Sequence, residues 1–411
     1  FSQVDYLCKA HGIKVADKIA IQTMRRHSNS QEPLSSEDLK YDARALAIFI
    51  SAVVGVDVPH ELNVLIPHTN RPYQKGLEIN NRRIRCIVKN WDSDFIRVDI
   101  DQDADEEEYL VQLKDEENHI DHTYLWDILK EGMQLNLLDC QVKQPVITPR
   151  LIVVEPDYQV DISSIATCFT AFGHHPLLYL LNQMKPRANT QATLLGNFAG
   201  AALDDIINTN GKYQMNETIK TNFREKALEF CTCPWFDAKK FYTDASLQAF
   251  NLQQVVDILF PRTASQAQMS AFRGESLYDR KKAILEPSFV CEALGIQGRV
   301  DLMTTDCKLL VEQKSGRNMN IETHQVDPGY HSYQLEPHYV QLLLYYGVLQ
   351  HNFKLSNDRV NIRLLYSKYQ PQDGLMVVAY YHKLFQEAIT YRNQLVAASF
   401  EIAKEGFEHA L

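Results

Sequence analysis

The amino-acid sequence predicts an α/β domain, a mixed sheet flanked by helices, preceded by an OB-like β-barrel and a helical N-terminal region. Residues 1–75 contain mainly helical patterns, residues 76–158 alternate apolar and polar side chains, and residues 159–411 combine helical patterns with short apolar runs. The chain has 411 residues, of which 45% are hydrophobic. That length is enough for two or three domains with their own cores.

The first two segments follow from local patterning. An apolar helix is expected over residues 42–56. The β-rich segment predicts strands and one helix over residues 83–88, 95–100, 109–113, 124–129 (the helix), 134–142 and 149–154. One helix between the third and fourth strands is typical of an OB-like barrel. Such a barrel could guide single-stranded nucleic acid, whose bases would stack on Trp91 and Phe95. The alternative is a purely structural barrel.

The third segment predicts helices around a central sheet, over residues 196–208, 219–229 and 384–404. Within this segment, residues 300–303 and 309–311 are apolar runs. Thr304, Thr305, Asp306 and Cys307, which follow the first run, form a mostly polar break. This arrangement indicates a β-hairpin.

Two carboxylates and a lysine lie on the predicted hairpin. Side chains alternate along a strand, so Glu312 and Lys314 share a face that Gln313 does not. With an even loop, Asp301 would lie opposite Leu310 and diagonal to Glu312, about 7–8 Å away. An odd loop would separate the two acids. The alternative is a solvated face with a cross-strand ion pair, but three consecutive polar residues after an apolar strand favour a polar cleft.

A helical pattern follows over residues 338–347, with Gln341 and Tyr345 one turn apart on one side of an amphipathic helix. Three short motifs therefore occur in order: G-x-x-D ending at Asp301, E-x-K from Glu312 to Lys314, and Q-x-x-x-Y. Their order and spacing resemble the RecB-like branch of the PD-(D/E)XK nucleases, over residues 162–398. The resemblance is greatest to the nuclease domains of flap-processing replication helicase–nucleases.

The resemblance implies a restriction-endonuclease-like domain and divalent-metal-dependent hydrolysis of phosphodiester bonds in single-stranded or flap DNA. It implies that Asp301, Glu312 and Lys314 are catalytic. Mg²⁺ or Mn²⁺ is the expected cofactor, because carboxylate and carbonyl oxygens suit hard cations. The implied metal ligands are Asp301, Glu312, the Gln313 carbonyl and Glu286. It implies that Gln341 and Tyr345 line the DNA-binding cleft. Arg299 and Arg317, basic residues close to these motifs, are further candidate DNA-binding residues.

Two features depart from the family pattern. Gly200 stands where many RecB-like members have a metal-binding histidine. Asp204 or Asp205 could replace that histidine, or both could lie on a solvated helix face. The flap-processing relatives hold an iron–sulfur cluster with one early and three late cysteines. Cys168 is near the early position but no cysteine follows Cys307, so an iron–sulfur cluster is not expected.

Composition bounds the remaining expectations. The formal net charge of −10 is unusual for a DNA enzyme, because phosphate contacts favour basic surfaces. No transmembrane-length apolar run and no signal peptide are evident, which predicts a cytoplasmic protein. The chain lacks a Walker motif and begins with Phe1, so it is expected to be part of a longer protein, with a DNA-repair or replication helicase motor elsewhere in that chain or in a partner. The alternatives are a non-catalytic DNA-binding scaffold and a nuclease acting on RNA or in phage defence.

Overall fold

A computed structural model describes residues 3–29, 34–70, 82–100, 109–143, 145–186, 188–209, 211–355 and 359–406. The chain divides into two compact units, Phe1–Asp157 and Tyr158–Leu411. The predicted segments 1–75 and 76–158 both fall in the first unit, apart from residue 158. The predicted boundary between them, at residue 76, lies outside the described residues.

The first unit begins with helices. They are α1 (Gln3–Ala10), α2 (Val15–Asn29), α3 (Ser36–Val54) and α4 (His60–Asn63). The helix predicted over residues 42–56 is α3, which starts earlier because Ser35 and Asp38 form a capping box. The Ser35 hydroxyl accepts the Asp38 N–H at 3.0 Å. Gly55, with φ 74°, ends the helix in the left-handed conformation that glycine adopts without strain.

The rest of the first unit is β-structure. Its strands are β1 (Arg83–Trp91), β2 (Phe95–Ile100), β3 (Tyr109–Gln112), β4 (Lys114–Asp115), β5 (Ile120–Asp121), β6 (Gln134–Leu138), β7 (Gln141–Lys143), β8 (Val146–Thr148) and β9 (Leu151–Val154), with a 3₁₀ turn at Thr123–Asp127. Seven of these strands form one sheet in the order β7-β8-β3-β2-β1-β6-β9. In the described part of the chain the two edge strands, β7 and β9, do not pair with each other.

The predicted OB-like barrel is therefore not observed: the described strands form an open sheet. The single strand predicted over residues 134–142 is broken at Asp139, which has a φ of 50°. After this break β7 pairs with β8 at one edge, whereas β6 pairs with β1 and β9. Trp91 packs against the core and Phe95 is half-buried, so neither ring is fully exposed for stacking on a base.

The second unit mixes helices and strands. Its helices are α5 (Ile162–Ala166), α6 (Leu177–Met184), α7 (Gln191–Asn208), α8 (Met215–Glu225), α9 (Ala227–Cys231), α10 (Ala238–Leu259), α11 (Ala264–Phe272), α12 (Met319–Thr323), α13 (Glu336–Phe353), α14 (Pro371–Gly374) and α15 (His382–Glu405), with a 3₁₀ turn at Arg280–Lys282. Its strands are β10 (Val160–Asp161), β11 (Phe169–Thr170), β12 (Gly173–His174), β13 (Ala283–Leu285), β14 (Ser288–Cys291), β15 (Ile296–Arg299), β16 (Leu302–Thr304), β17 (Leu309–Lys314), β18 (Asn361–Tyr366) and β19 (Leu375–Val377).

The central sheet of the second unit is mixed. Its order is β13-β16-β17-β18-β19, with β17 and β18 parallel and the other neighbours antiparallel. A smaller sheet has the order β10-β15-β14, and β11 and β12 form a short hairpin. A parallel pair needs a crossover connection, which here contains α12 and α13. The predicted mixed α/β architecture is present in this unit.

Helices cover both faces of this sheet. One hydrophobic core joins α7 and α10 to Leu302, Leu309 and Val311, so these side chains face α7 and α10. Alternation then turns Glu312 and Lys314 toward α13. The 22-residue helix α10 was not predicted, and the helix predicted over residues 219–229 is split into α8 and α9.

Helix α13 contains the segment predicted as an amphipathic helix, and that prediction is wrong about its environment. Every residue from Tyr339 to Leu349 is buried, because α13 is packed by α5, α15, β14 and β18. Within the described ranges, neither α13 nor any other helix combines the length and apolar character needed to cross a bilayer.

Candidate active site

The β16–β17 hairpin brings Asp301 and Glu312 together. Leu302 pairs with Val311 and Met303 pairs with Leu310, so continuing this register puts Asp301 opposite Glu312. The expectation that Asp301 would oppose Leu310 is wrong by two residues, although the two acids do share a face. The reason is the turn, which is longer than expected: Thr304 Oγ1 accepts the N–H groups of Lys308 and Leu309 at 3.2 and 3.1 Å.

Asp301 is anchored to the neighbouring strand. The backbone N–H of Gln313 donates to Asp301 Oδ2 at 2.6 Å. This bond fixes one carboxylate oxygen beside the point where β17 emerges from the core. The Gln313 side chain points to the opposite face, where its Nε2 donates to Ser367 Oγ at 2.7 Å.

Glu312, Lys314 and Gln341 form a closed triangle of hydrogen bonds. Glu312 Oε1 accepts from Lys314 Nζ at 2.8 Å and from Gln341 Nε2 at 2.7 Å. Lys314 Nζ also donates to Gln341 Oε1 at 2.8 Å. The Glu312 side chain is only 4% exposed, and within the described residues its other oxygen, Oε2, has no hydrogen-bond partner. A buried carboxylate oxygen in this state is costly unless a cation or proton joins it.

Four carboxylates influence one another around this point: Asp204, Glu286, Asp301 and Glu312, here called the acidic cluster. Burial, followed by the charge of Asp301, raises the pKa of Glu312 to about 7. Burial raises the pKa of Asp301 as well. Burial together with the charges of Glu286 and Asp301 raises the pKa of Asp204 to about 6. Burial is the largest cause of these raised pKa values, and the charges of neighbouring carboxylates add to it despite Lys314 and Arg299.

The two candidate replacements for the family histidine have different surroundings. Asp204, on α7, is close enough to Asp301 and Glu286 for their charges to raise its pKa. Asp205 instead accepts a hydrogen bond from the Thr218 hydroxyl of α8. Gly200 lies one turn before Asp204, and a Cβ there would meet no atom within 4 Å. Open space therefore adjoins the position where the histidine was expected.

The other predicted residues have protein partners of their own. The Tyr345 hydroxyl donates to the Arg299 carbonyl at 2.5 Å, so it braces the strand rather than pointing to solvent. A Cβ on Gly298 would lie 2.9 Å from the Tyr345 ring, which explains the glycine of the G-x-x-D motif. Glu286 is exposed and forms an ion pair with Arg299 at 3.1 Å. Arg317 pairs with Glu322.

A polar network behind Gln313 was not predicted. Ser367 Oγ, which accepts from Gln313, donates to Gln248 Oε1 at 2.6 Å, and Asn251 Nδ2 donates to the Ser367 carbonyl at 3.0 Å. Gln248 and Asn251 both lie on α10 and both are buried. Two amides within a stripe of alanine and leucine side chains were the sequence signal that could have indicated this network.

The donor set fits a magnesium-like ion. In the described part of the chain, no three His, Cys, Asp or Glu side chains converge closely enough to hold a metal ion by themselves. Mg²⁺, however, is usually bound by one or two carboxylates and completes its octahedron with water and substrate oxygens. Glu312, whose Oε2 has no hydrogen-bond partner among the described residues, would supply one such carboxylate. Asp301, which lies opposite Glu312 on the neighbouring strand, would supply the other.

Comparison with known proteins gives little further guidance. No protein-family model matches the chain, and no curated protein matches it. A solved structure from Eubacterium rectale, described as a "putative exonuclease", aligns with 61% of this chain and 83% of its own, at 11% sequence identity and a TM-score of 0.34. A TM-score of this size does not establish a shared fold, and fold alone would not establish a function.

Proposed function

We propose that this chain is a Mg²⁺- or Mn²⁺-dependent nuclease that hydrolyses phosphodiester bonds in DNA. The observation that carries the proposal is Glu312, whose buried Oε2 has no hydrogen-bond partner among the described residues and whose pKa is raised to about 7. Asp301 lies opposite it and Lys314 beside it. Perturbed acids next to a fixed lysine are typical of catalytic rather than structural sites.

Asp301 and Glu312 would hold the cation together with the Gln313 carbonyl, and Glu286 would have to leave its ion pair with Arg299 to become a further oxygen donor. When bound, the ion supplies polarisation of the scissile phosphate and a lower pKa for a coordinated water. Asp204, on α7, would supply negative charge near the place of the family histidine without binding the ion directly. Each acid must be ionised to bind a cation, so Glu312 has to lose its proton, which it does near pH 7.

Lys314 would act directly on the reacting groups. An ammonium group has three N–H donors, and two of them bind Glu312 and Gln341. The third can donate to the attacking water or to a phosphate oxygen, where negative charge develops in the transition state. Because Glu312 and Gln341 fix the ammonium in advance, little reorganisation is needed during the reaction.

Gln341 and Tyr345 would be positioning residues rather than direct DNA contacts. Gln341 holds both Glu312 and Lys314, and Tyr345 holds the Arg299 backbone. Arg299 and Arg317 have side chains 61% and 62% exposed, so they can reach phosphates of a bound strand. The RecB-like resemblance extends the proposal to single-stranded or flap DNA and a role in repair or replication, together with a helicase motor.

Cleavage of labelled single-stranded DNA in Mn²⁺ tests this function. We expect the wild type to cleave and Lys314→Ala to lose about 100-fold or more in rate, the effect of removing one preorganised transition-state donor. Lys308→Ala is the matched control, because this exposed lysine immediately precedes the same strand. DNA binding without cleavage in Mg²⁺ or Mn²⁺ would support a non-catalytic scaffold instead. Matched RNA in parallel distinguishes a ribonuclease.

A further inference from the structure

A second charged group lies just beyond the candidate active site. Glu322, on α12, receives three donors: Arg317 Nε at 2.5 Å on Oε2, and the Tyr369 hydroxyl at 2.8 Å and Lys368 Nζ at 3.2 Å on Oε1. The hydrogen bond from Tyr369, with those from Arg317 and Lys368, lowers the pKa of Glu322 to about 2. This carboxylate is therefore ionised throughout the working pH range.

The three donors share an edge of the sheet with Lys314. Strands β17 and β18 are parallel, and Lys314 pairs with Tyr366 at their carboxyl ends. Arg317 follows Lys314 by three residues, and Lys368 follows Tyr366 by two. Three residues of extended chain span at most about 10 Å. The donors therefore lie close enough to Lys314 for a nucleic-acid strand bound at Lys314 to reach them.

The donor set suits a phosphodiester as well as it suits a carboxylate. Both groups carry one negative charge and present two equivalent oxygens to the planar donors of arginine. Two cations converge on a single carboxylate here, so one positive charge is left over. The Arg317 side chain remains 62% exposed despite its ion pair.

Two of the three donors, Tyr369 and Lys368, also have contacts that do not involve Glu322. The Tyr369 hydroxyl accepts the Asn318 N–H at 2.7 Å. Lys368 lies over the Tyr369 ring, with its Nζ 5.7 Å from the ring centroid. If Glu322 moved away, the hydroxyl and the ammonium would keep these contacts and remain available to another anion.

We propose that Arg317, Lys368 and Tyr369 form a phosphate-binding subsite for the nucleic-acid strand adjacent to the cleaved bond. Glu322 occupies this subsite in the free protein as an internal substitute for phosphate. The path of the strand rests on the proposed nuclease function. The nucleic-acid strand must displace Glu322 to bind there, so the carboxylate weakens the binding of strands that are long enough to reach the subsite.

Equilibrium binding of a labelled single-stranded oligonucleotide, in EDTA so that no metal-dependent cleavage occurs, tests the subsite. Glu322→Gln removes the competing charge, and we expect binding about 5- to 10-fold tighter than wild type. Asp306→Asn is the matched control: it removes the same charge from an ion pair with Lys282, 3.0 Å apart, at the opposite end of the hairpin. It should change binding less than about 2-fold.

Lys368→Ala tests the subsite from the cationic side. We expect weaker binding and a salt dependence, d log K/d log[salt], shallower by about one unit, as for the loss of one phosphate contact. Equal effects of Glu322→Gln and Asp306→Asn would overturn the subsite, as would an unchanged salt dependence in Lys368→Ala. Absence of cleavage in the Lys314 experiment would leave these binding results intact, so the two proposals fail separately.

Discussion

Two groups of acids in the second unit differ in whether their carboxylate oxygens have hydrogen-bond partners. In one group, the acidic cluster, Glu312 Oε2 has no hydrogen-bond partner among the described residues. In the other, here called the histidine clamp, His174 lies between two glutamates. Its Nε2 is 2.6 Å from Glu336 Oε2 and its Nδ1 is 2.7 Å from Glu387 Oε1. Tyr330 donates to the remaining oxygen of Glu336.

The difference shows in the protonation of the central groups. Burial lowers the pKa of His174, but the hydrogen bonds to Glu387 and Glu336 outweigh it and raise the pKa overall. When His174 is protonated it offsets one of the two glutamate charges, and its ring joins the β11–β12 hairpin to α13 and α15. In the acidic cluster, Lys314 contacts Glu312 and Arg299 contacts Glu286, but burial outweighs these cations and raises the pKa of Glu312 and of Asp204. We therefore expect the histidine clamp to contribute to stability and the acidic cluster to contribute to the proposed metal binding.

The largest effect is expected from a substitution in the acidic cluster. Glu312→Gln should reduce DNA cleavage by at least about 100-fold while raising the thermal midpoint by about 2–4 °C at pH 8 without metal. The folded state binds the Glu312 proton more tightly than the unfolded chain. The stability from this group is therefore complete below about pH 4.5 and is lost as pH rises through about 7. Differential scanning calorimetry and a gel cleavage assay measure the two effects. A variant that cleaves like the wild type would exclude Glu312 from catalysis.

The next largest effect is expected when the histidine of the histidine clamp is replaced. His174→Gln should cost about 2 kcal/mol of unfolding free energy at pH 6, the range for charged hydrogen bonds. The raised pKa of His174 means that this contribution is present at low pH and is lost as pH rises through the folded-state value, so the difference from wild type should shrink by pH 9. Chemical denaturation at both pH values measures it.

The neighbouring His175→Gln provides the control for that experiment. His175 is exposed, and its Nδ1 accepts the backbone N–H of Leu177, two residues away, at 3.1 Å. We expect its substitution to change stability by less than about 0.5 kcal/mol. Equal losses in both variants, or a loss independent of pH, would contradict the charged clamp.

The smallest expected effect is a change in the Mn²⁺ affinity of the acidic cluster with pH. Mn²⁺ affinity should increase about 10-fold between pH 6 and pH 8, because Glu312, with a pKa of about 7, must lose its proton to bind the ion. Isothermal titration calorimetry at the two pH values measures this without an activity assay. Glu312→Gln should bind weakly and with little pH dependence. The same pH dependence in that variant would assign the proton to another group.

The sequence predicted the arrangement of the hairpin but not its register. Alternation along a strand put Glu312 and Lys314 on one face, and the polar break between two apolar runs located the turn. The two-residue shift of Asp301 came from Thr304, whose hydroxyl binds two turn amides. That contact depends on how the turn closes, and period-two patterning alone does not specify it. Likewise, Asp139 divides a stretch whose apolar pattern predicts one strand, and this break accompanies the open sheet.

The amino-acid sequence by itself determined which side chains share a strand face, because backbone geometry fixes the two-residue alternation locally. It also determined which segment of the second unit would be a mixed sheet, and where two acids and a lysine lie at close spacing. Only the tertiary structure decided that Asp204 rather than Asp205 joins the acidic cluster, that α13 is buried, and that Glu322 lies among Arg317, Lys368 and Tyr369. Those outcomes depend on packing between segments far apart in the chain, and local propensity carries no information about such contacts.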